Sequence, residues 1–288
     1  MYKLEKIDNQ RLSSGVVSNR TFPQIIREIC EDKNIELQSF SHDYIFKLSR
    51  GEIQRYLIGW QFSLNSTRSA KIAVDKSATC KILDISDLPH VEHLLFMSPA
   101  NKEYIAENGN WQTMIDAFEH YKNNGGIVVK DNTGMCGDLV YHVKSRSDLE
   151  KAVFEIFSKV STLALSPFEH IVSEYRVIML DGESRLTFEK VRNTESGEWR
   201  HNLGKGAKAV IESDAEKINQ LSDLAKRAMK VLGLRFASVD IIFNVQGEMK
   251  IIEINSSVTL NQFANQGEME YTIAKNIYGD VIEKIMES

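Results

Sequence analysis

Residues 238–257 read "SVDIIFNVQGEMKIIEINSS". Two strongly apolar stretches flank Gln246-Gly247, and a short glycine-containing break between apolar runs predicts a β-hairpin. With Gln246-Gly247 at its centre, Val245 pairs with Glu248, Phe243 with Lys250 and Ile241 with Ile252. Asp240 then falls directly opposite Glu253. Widening the turn symmetrically to four residues leaves that register unchanged. Side chains two apart share a strand face, so Asn255 joins Glu253 on the face that carries Asp240. Like charges opposite each other on a sheet repel. A shared proton or a wet sheet edge would relieve the repulsion, and a divalent cation would remove it directly. Asp240, Glu253 and the Asn255 oxygen form a hard, all-oxygen set. Such a set suits magnesium, which commonly takes further ligands from substrate phosphates.

Outward from the hairpin, composition narrows the classes. The chain has 288 residues, enough for one large domain or two to three lobes with a real core. Hydrophobic residues make up 42% and charged residues 26%, the balance of an ordinary soluble globular protein. The opening "MYKLEKIDNQ" is charged and polar, unlike a signal peptide. No apolar run approaches about 18 residues, so no membrane span is expected. Cys30, Cys80 and Cys136 are odd in number and widely spaced, which suggests reduced thiols in a cytoplasmic protein. A net charge of -5 carries no global footprint for nucleic acid.

Three regions follow: 1–75, 76–168 and 169–288. The first is mixed, with helices expected from Pro23 to Asp32 and across "GEIQRYLIGWQFS" (51–63). The second alternates helix (about 76–86), strand ("VEHLLFMS"), helix ("WQTMIDAFEHYK"), strand ("GGIVVK"), glycine loop, strand ("DLVYHV") and helix ("SDLEKAVFEIFSKV"). Ser147 and Glu150 form a candidate capping box there. The third is strand-rich. "FEHIVSEYRVIML" and "SRLTFEKVR" are joined by "DGE", a hairpin signal. A helix closed by Gly233, the carboxylate hairpin and a terminal helix near 270–286 complete it. This mixture lacks the strict alternation of a doubly wound sheet and predicts an α+β fold of largely antiparallel sheets.

Four further features carry charge chemistry. In "GGIVVKDNTGMCGDLV" an apolar strand ends in Lys130, and a loop with Gly134 and Gly137 follows. Glycines let backbone N–H groups approach an anion, and the lysine adds a point charge; the alternative is an ordinary hairpin with a solvated lysine. Lys76 in "IAVDKSATCKIL" opens a predicted helix, whose N-terminus favours anions. Glu174 and Arg176 in "SEYRV" share a strand face, as a structural ion pair also would. Arg192, Asn202 and Lys205 fall in "KVRNTESGEWRHNLGKGAKA", a segment that is otherwise read as a mobile surface loop. Phosphate-binding features and a magnesium-type site explain one another and point together to a nucleoside triphosphate.

The order of these motifs resembles the ATP-grasp superfamily, in its carboxylate–amine ligase branch of glutathione synthetase, cyanophycin synthetase and glutamate ligase type. The resemblance runs from about Ala70 to Gln266 on "VDKSAT", "IVVKDNTGMCGD", "EYRVIMLDG", "RHNLGKGAKA", "SVDIIF" and "IIEIN". It implies two α/β lobes clasping ATP, preceded by a short N-terminal region. Lys76, Lys130, Gly134 and Gly137 would hold phosphates. Glu174 would contact ribose, and Phe168 and Glu169, within Ser166–Ile171, would lie at the adenine. Arg192, Asn202 and Arg176 would serve the transferring phosphate. Asp240, Glu253 and Asn255 would bind two magnesium ions, with manganese as a substitute. The implied reaction joins a small-molecule or peptide acid to an amine through an acylphosphate, releasing ADP and phosphate. Kinases acting on hydroxyls and peptide macrocyclases share the fold. No nucleic-acid or membrane partner is implied, and a homodimer is open.

Overall fold

The computed structural model describes residues 20–100, 111–135, 137–194 and 197–287. The opening decapeptide and Cys136 lie outside them; Cys30 and Cys80 are buried free thiols. The chain begins with α1 (Thr21–Asp32), whose Phe22, Ile25, Ile26 and Ile29 recur at helical spacing and are buried. A three-stranded antiparallel sheet follows, β1 (Glu36–Phe40), β2 (Ile45–Arg50) and β3 (Ile53–Ile58), in the order β1-β2-β3. The helix expected across 51–63 is therefore replaced by strand. Gly51 takes φ +60° in the β2–β3 turn, and Leu57 is buried between exposed Tyr56 and Ile58, a period of two.

Helices α2 (Thr67–Val74) and α3 (Lys76–Asp84) meet at Asp75, which ends the first and caps the second by accepting from Ala78 N–H. The next sheet contains β4 (Leu94–Met97), β5 (Ile127–Asp131), β6 (Val140–Val143) and β7 (Thr162–Pro167), in the antiparallel order β4-β7-β5-β6. One face packs on α4 (Trp111–Tyr121) and α5 (Arg146–Phe157). The cap of α5 is Ser145, not Ser147: its hydroxyl accepts from Asp148 N–H, which leaves Ser147 inside the first turn.

The largest sheet holds β8 (Ile171–Leu180), β9 (Glu183–Val191), β10 (Lys208–Ile211), β11 (Phe236–Asn244) and β12 (Met249–Asn255), in the order β10-β9-β8-β11-β12, all antiparallel. Asp181 and Gly182 both take positive φ in the β8–β9 turn, as a type I′ hairpin requires. One face is covered by α6 (Ala215–Leu232), capped by Asp214 and ended by left-handed Gly233. The other packs on α1, the first sheet, α7 (Asn261–Ala264) and α8 (Glu268–Glu287). Residues 21–64 thus share a core with the C-terminal half of the chain.

The expected hairpin over residues 238–255 forms, and Asp240 lies opposite Glu253. The route differs. Phe243 pairs with Met249, Ile242 with Lys250 and Ile241 with Ile251, so three residues, Val245 to Gly247, make the loop. A β-bulge between Ile251 and Glu253 then restores the expected register. It leaves Ile251 and Ile254 on the α6 side while turning Glu253 to the face of Asp240.

Candidate active site

Three adjacent central strands project four charges onto one face. Asp240 on β11 lies opposite Arg176 on β8, and Glu174 on β8 is bonded to Lys190 on β9. Arg176 clamps Asp240 bidentately, Nε to Oδ1 and Nη2 to Oδ2, both at 2.7 Å. Lys190 Nζ bridges Glu174 Oε1 at 2.5 Å and Asp240 Oδ2 at 2.7 Å. Burial would raise the Asp240 carboxyl, but Arg176 and Lys190 hold it well below the ordinary carboxylate range. The Arg176 guanidinium is half-buried, and Asp240 keeps it charged against that desolvation.

The second half of the site faces this network. Lys76, in the first turn of α3, donates to Gly134 O at 2.6 Å and stands 3.3 Å from Glu253. The two acids of the hairpin are therefore neutralised by the protein's own cations, Asp240 by Arg176 and Lys190, and Glu253 by Lys76. Lys130, on β5, is buried and has no ion-pair partner among the described residues. Burial pulls its ammonium down to about 8, and Lys76 adds to the shift, while Glu253 and Glu174 oppose it. His93, beside these lysines, is held neutral by burial and by the Lys130 charge.

Two loops close over the lysines. Gly137 takes φ +74°, and a Cβ there would come within 2.8 Å of Asn202 Nδ2. Arg200 donates to Gly137 O at 2.8 Å, and Lys205 lies 3.8 Å from Asp138. Asn202 caps a short 3-10 turn by accepting from Gly204 N–H at 2.7 Å. Arg192 is exposed, donates to Trp199 O and lines a separate cavity of about 240 Å³. Phe168, Glu169, His170, Trp199 and His201 also line that cavity. Phe168 stacks on His142 with centroids 3.8 Å apart, and the Trp199 ring tilts toward it at 5.7 Å. Glu169 is engaged by Lys250 at 3.2 Å and by Asn244 at 3.3 Å.

The fold thus brings Lys76, Lys130, Glu174, Arg176, Asp240 and Glu253 together, places Asn255 on the same face at the end of β12, and sets Gly134, Gly137 and Asn202 in the covering loops. Arg192, Phe168 and Glu169 gather at the aromatic-lined cavity. Lys190 and Arg200 were not singled out in the sequence. Among the described residues no group of three His, Cys, Asp or Glu side chains stands ready for a metal, so the candidate set reaches three donors only through Asn255. Its donor chemistry still fits magnesium: a carboxylate offers about four lone-pair sites, and three cationic contacts leave Asp240 capacity for another.

A model of the RimK-like ATP-grasp domain matches residues 75–285. The chain belongs to this family. Its ATP-grasp fold agrees with solved structures of related architecture, among them the D-alanine-D-alanine ligase from Coxiella burnetii. That match has a TM-score of 0.57 at 17% identity and covers 77% of this chain and 59% of the other. Among curated relatives, the tetrahydromethanopterin:alpha-L-glutamate ligase of Methanocaldococcus jannaschii is 25% identical over 83% of this chain and 75% of its own length. A probable alpha-L-glutamate ligase of Psychromonas ingrahamii is 28% identical over 56% of this chain, and the match spans 51% of that relative. No helix among the described residues of this ATP-grasp protein is long and apolar enough to cross a membrane.

Proposed function

We propose that the protein is an ATP-dependent carboxylate–amine ligase that forms an amide bond and releases ADP and phosphate. The observation that carries this reading is the facing of two charge sets, buried Lys76 and Lys130 from one side and buried Glu174, Lys190 and Asp240 with half-buried Arg176 and Glu253 from the other. Its membership of the RimK-like family and the ligase names of its relatives support the reaction class.

Each residue has a part in that reading. Lys76 and Lys130 bind phosphate oxygens, and buried Lys130, which has no ion-pair partner among the described residues, gains a counter-charge when they arrive. Glu174 accepts from a ribose hydroxyl while Lys190 holds it in place. Arg176 and Lys190 orient Asp240 and offset charge at the transferring phosphoryl group. Asp240, Glu253 and Asn255 supply oxygens for divalent metal, two magnesium ions with manganese as a substitute, which when bound neutralises phosphate charge. Gly134, Gly137, Arg200 and Asn202 close the phosphate end and exclude water. The aromatic cavity at Phe168, Trp199 and His201, with Arg192 and Glu169 at its rim, takes the nucleobase end. The substrates are a small-molecule or peptide acid and an amine, and the compartment is the cytoplasm.

Hydroxylamine trapping tests the reaction class. With ATP, magnesium and a panel of amino acids and peptides as acids, an activated acyl group yields a hydroxamate together with ADP. A stable phosphorylated product without hydroxamate would overturn the ligase reading and make the protein a kinase.

A further inference from the structure

Lys76 and Lys130 arrive from different segments, a helix and a strand, and one residue ties those segments together. Asn132 lies two positions after Lys130, just beyond the end of β5. Its carbonyl accepts from Lys76 N–H at 3.0 Å. Its side-chain Oδ1 accepts from Ser77 N–H at 3.1 Å and from the Ser77 hydroxyl at 2.7 Å. Its own N–H donates to Thr162 O, on β7, at 3.5 Å. The first turn of α3 is thereby docked on the strands that carry Lys130.

The side chain is an expensive choice if packing were its only purpose. Asn132 is 1% exposed, and its Nδ2 has no acceptor among the described residues. A buried amide with unmade donors is destabilising, and an apolar residue of similar size would avoid that. The carbonyl half is fully used, and what it holds is the residue next to Lys76. Lys76 in turn spans the gap between Gly134 of the covering loop and Glu253 of the opposite sheet.

We propose that Asn132 is a positioning residue: it fixes the Lys76 ammonium relative to Lys130, so that the pair is set in advance for a polyphosphate. The inference rests on the nucleotide reading above. Both lysines stand on rigid elements, but the spacing between those elements depends on the Asn132–Ser77 contacts. Without the amide oxygen, Asn132 holds α3 only through the main-chain bond that its carbonyl accepts from Lys76 N–H. The first turn then gains freedom, and recruiting Lys76 costs binding free energy.

A double-mutant cycle measured by calorimetry in magnesium buffer tests this. ADP affinity is compared in the wild type, Asn132→Leu, Lys76→Ala and the double variant. Asn132→Leu is expected to weaken ADP about tenfold in the wild type and less than about twofold once Lys76 is gone. AMP, with one phosphate, is expected to lose less than about twofold in Asn132→Leu. Ser77→Ala keeps its backbone donor and removes only the hydroxyl; it should weaken ADP about threefold and provides the cycle with a milder variant should Asn132→Leu fail to fold. Equal losses with and without Lys76, or equal losses for AMP and ADP, would overturn the positioning role. Wild-type protein that binds no ADP would instead overturn the nucleotide reading itself.

Discussion

Asp240 and Glu253 face each other across one pair of strands, yet their surroundings set them different tasks. Asp240 is enclosed, and both its oxygens carry ion pairs. Asp240→Asn leaves Arg176 and Lys190 with an uncompensated buried charge, and breaking such a network by removing one partner costs about 3–5 kcal/mol. Glu253 is partly exposed, and its partner Lys76 retains Gly134 O. Glu253→Gln is therefore expected to change stability by less than about 1 kcal/mol. Urea denaturation separates the two, while magnesium-dependent ADP release is expected to vanish in both. A similar stability loss in the two variants would mean that Glu253 is as structural as Asp240. Lys190, the fourth member of the network, was invisible in the sequence for a definite reason. A regular hairpin centred on Asp181-Gly182 pairs Glu174 with Glu189 and places Lys190 on the other face. The bulge between Ile178 and Met179 shifts the register by one, and Lys190 meets Glu174 instead.

At the scale of elements, the β11–β12 hairpin reached its expected carboxylate pairing through two departures that cancel. Only Gly247 in its loop has positive φ, at +78°. Asn244 organises the turn, its Oδ1 accepting from Gln246 and Glu248 N–H. A two-residue type I′ loop would require positive φ at Gln246 as well, and Gln246→Gly would then relieve strain. In the observed loop the same change only adds freedom to the unfolded chain and is expected to destabilise by about 0.5–1 kcal/mol. Gly247→Ala meets no atom within 4 Å and reports backbone strain alone, expected at about 1–2 kcal/mol. A stabilising Gln246→Gly, seen as a rise in denaturation midpoint at constant slope, would contradict this loop. Apolar alternation and turn residues made most strands of the two large sheets legible. Bulges were not, because one extra residue leaves composition and spacing unchanged. The short edge strand β10 and the strand β3, whose Ile, Tyr and Leu also suit a helical stripe, were hidden for the same lack of distinctive pattern.

At the scale of the whole molecule, the candidate site belongs to no single sheet. Lys130 stands on the four-stranded sheet, Asp240 and Glu253 on the five-stranded sheet, and Lys76 reaches between them. A ligand that bridges them stabilises the native state by mass action, about 2.7 kcal/mol at a hundred times its dissociation constant. At roughly 2–4 °C per kcal/mol for a chain of this size class, Mg-ADP should raise the melting temperature by about 5–11 °C. Removing one charge-assisted phosphate contact weakens binding by about tenfold or more, so Lys130→Ala should show no more than about half that shift at the same ADP concentration. The pH dependence has a fixed sign. Folded Lys130 loses its proton near 8, whereas the unfolded chain holds it to about 10.4. Between these values the unfolded state binds more protons, so the ligand-free protein gains stability from this group as pH rises. Phosphate binding moves the other way, because a neutral amine attracts no anion. The ADP-induced shift should therefore shrink from pH 7 to pH 9 in the wild type and change less in Lys130→Ala. A shift of equal size in both proteins, at both pH values, would show that the four-stranded sheet takes no part in holding the nucleotide.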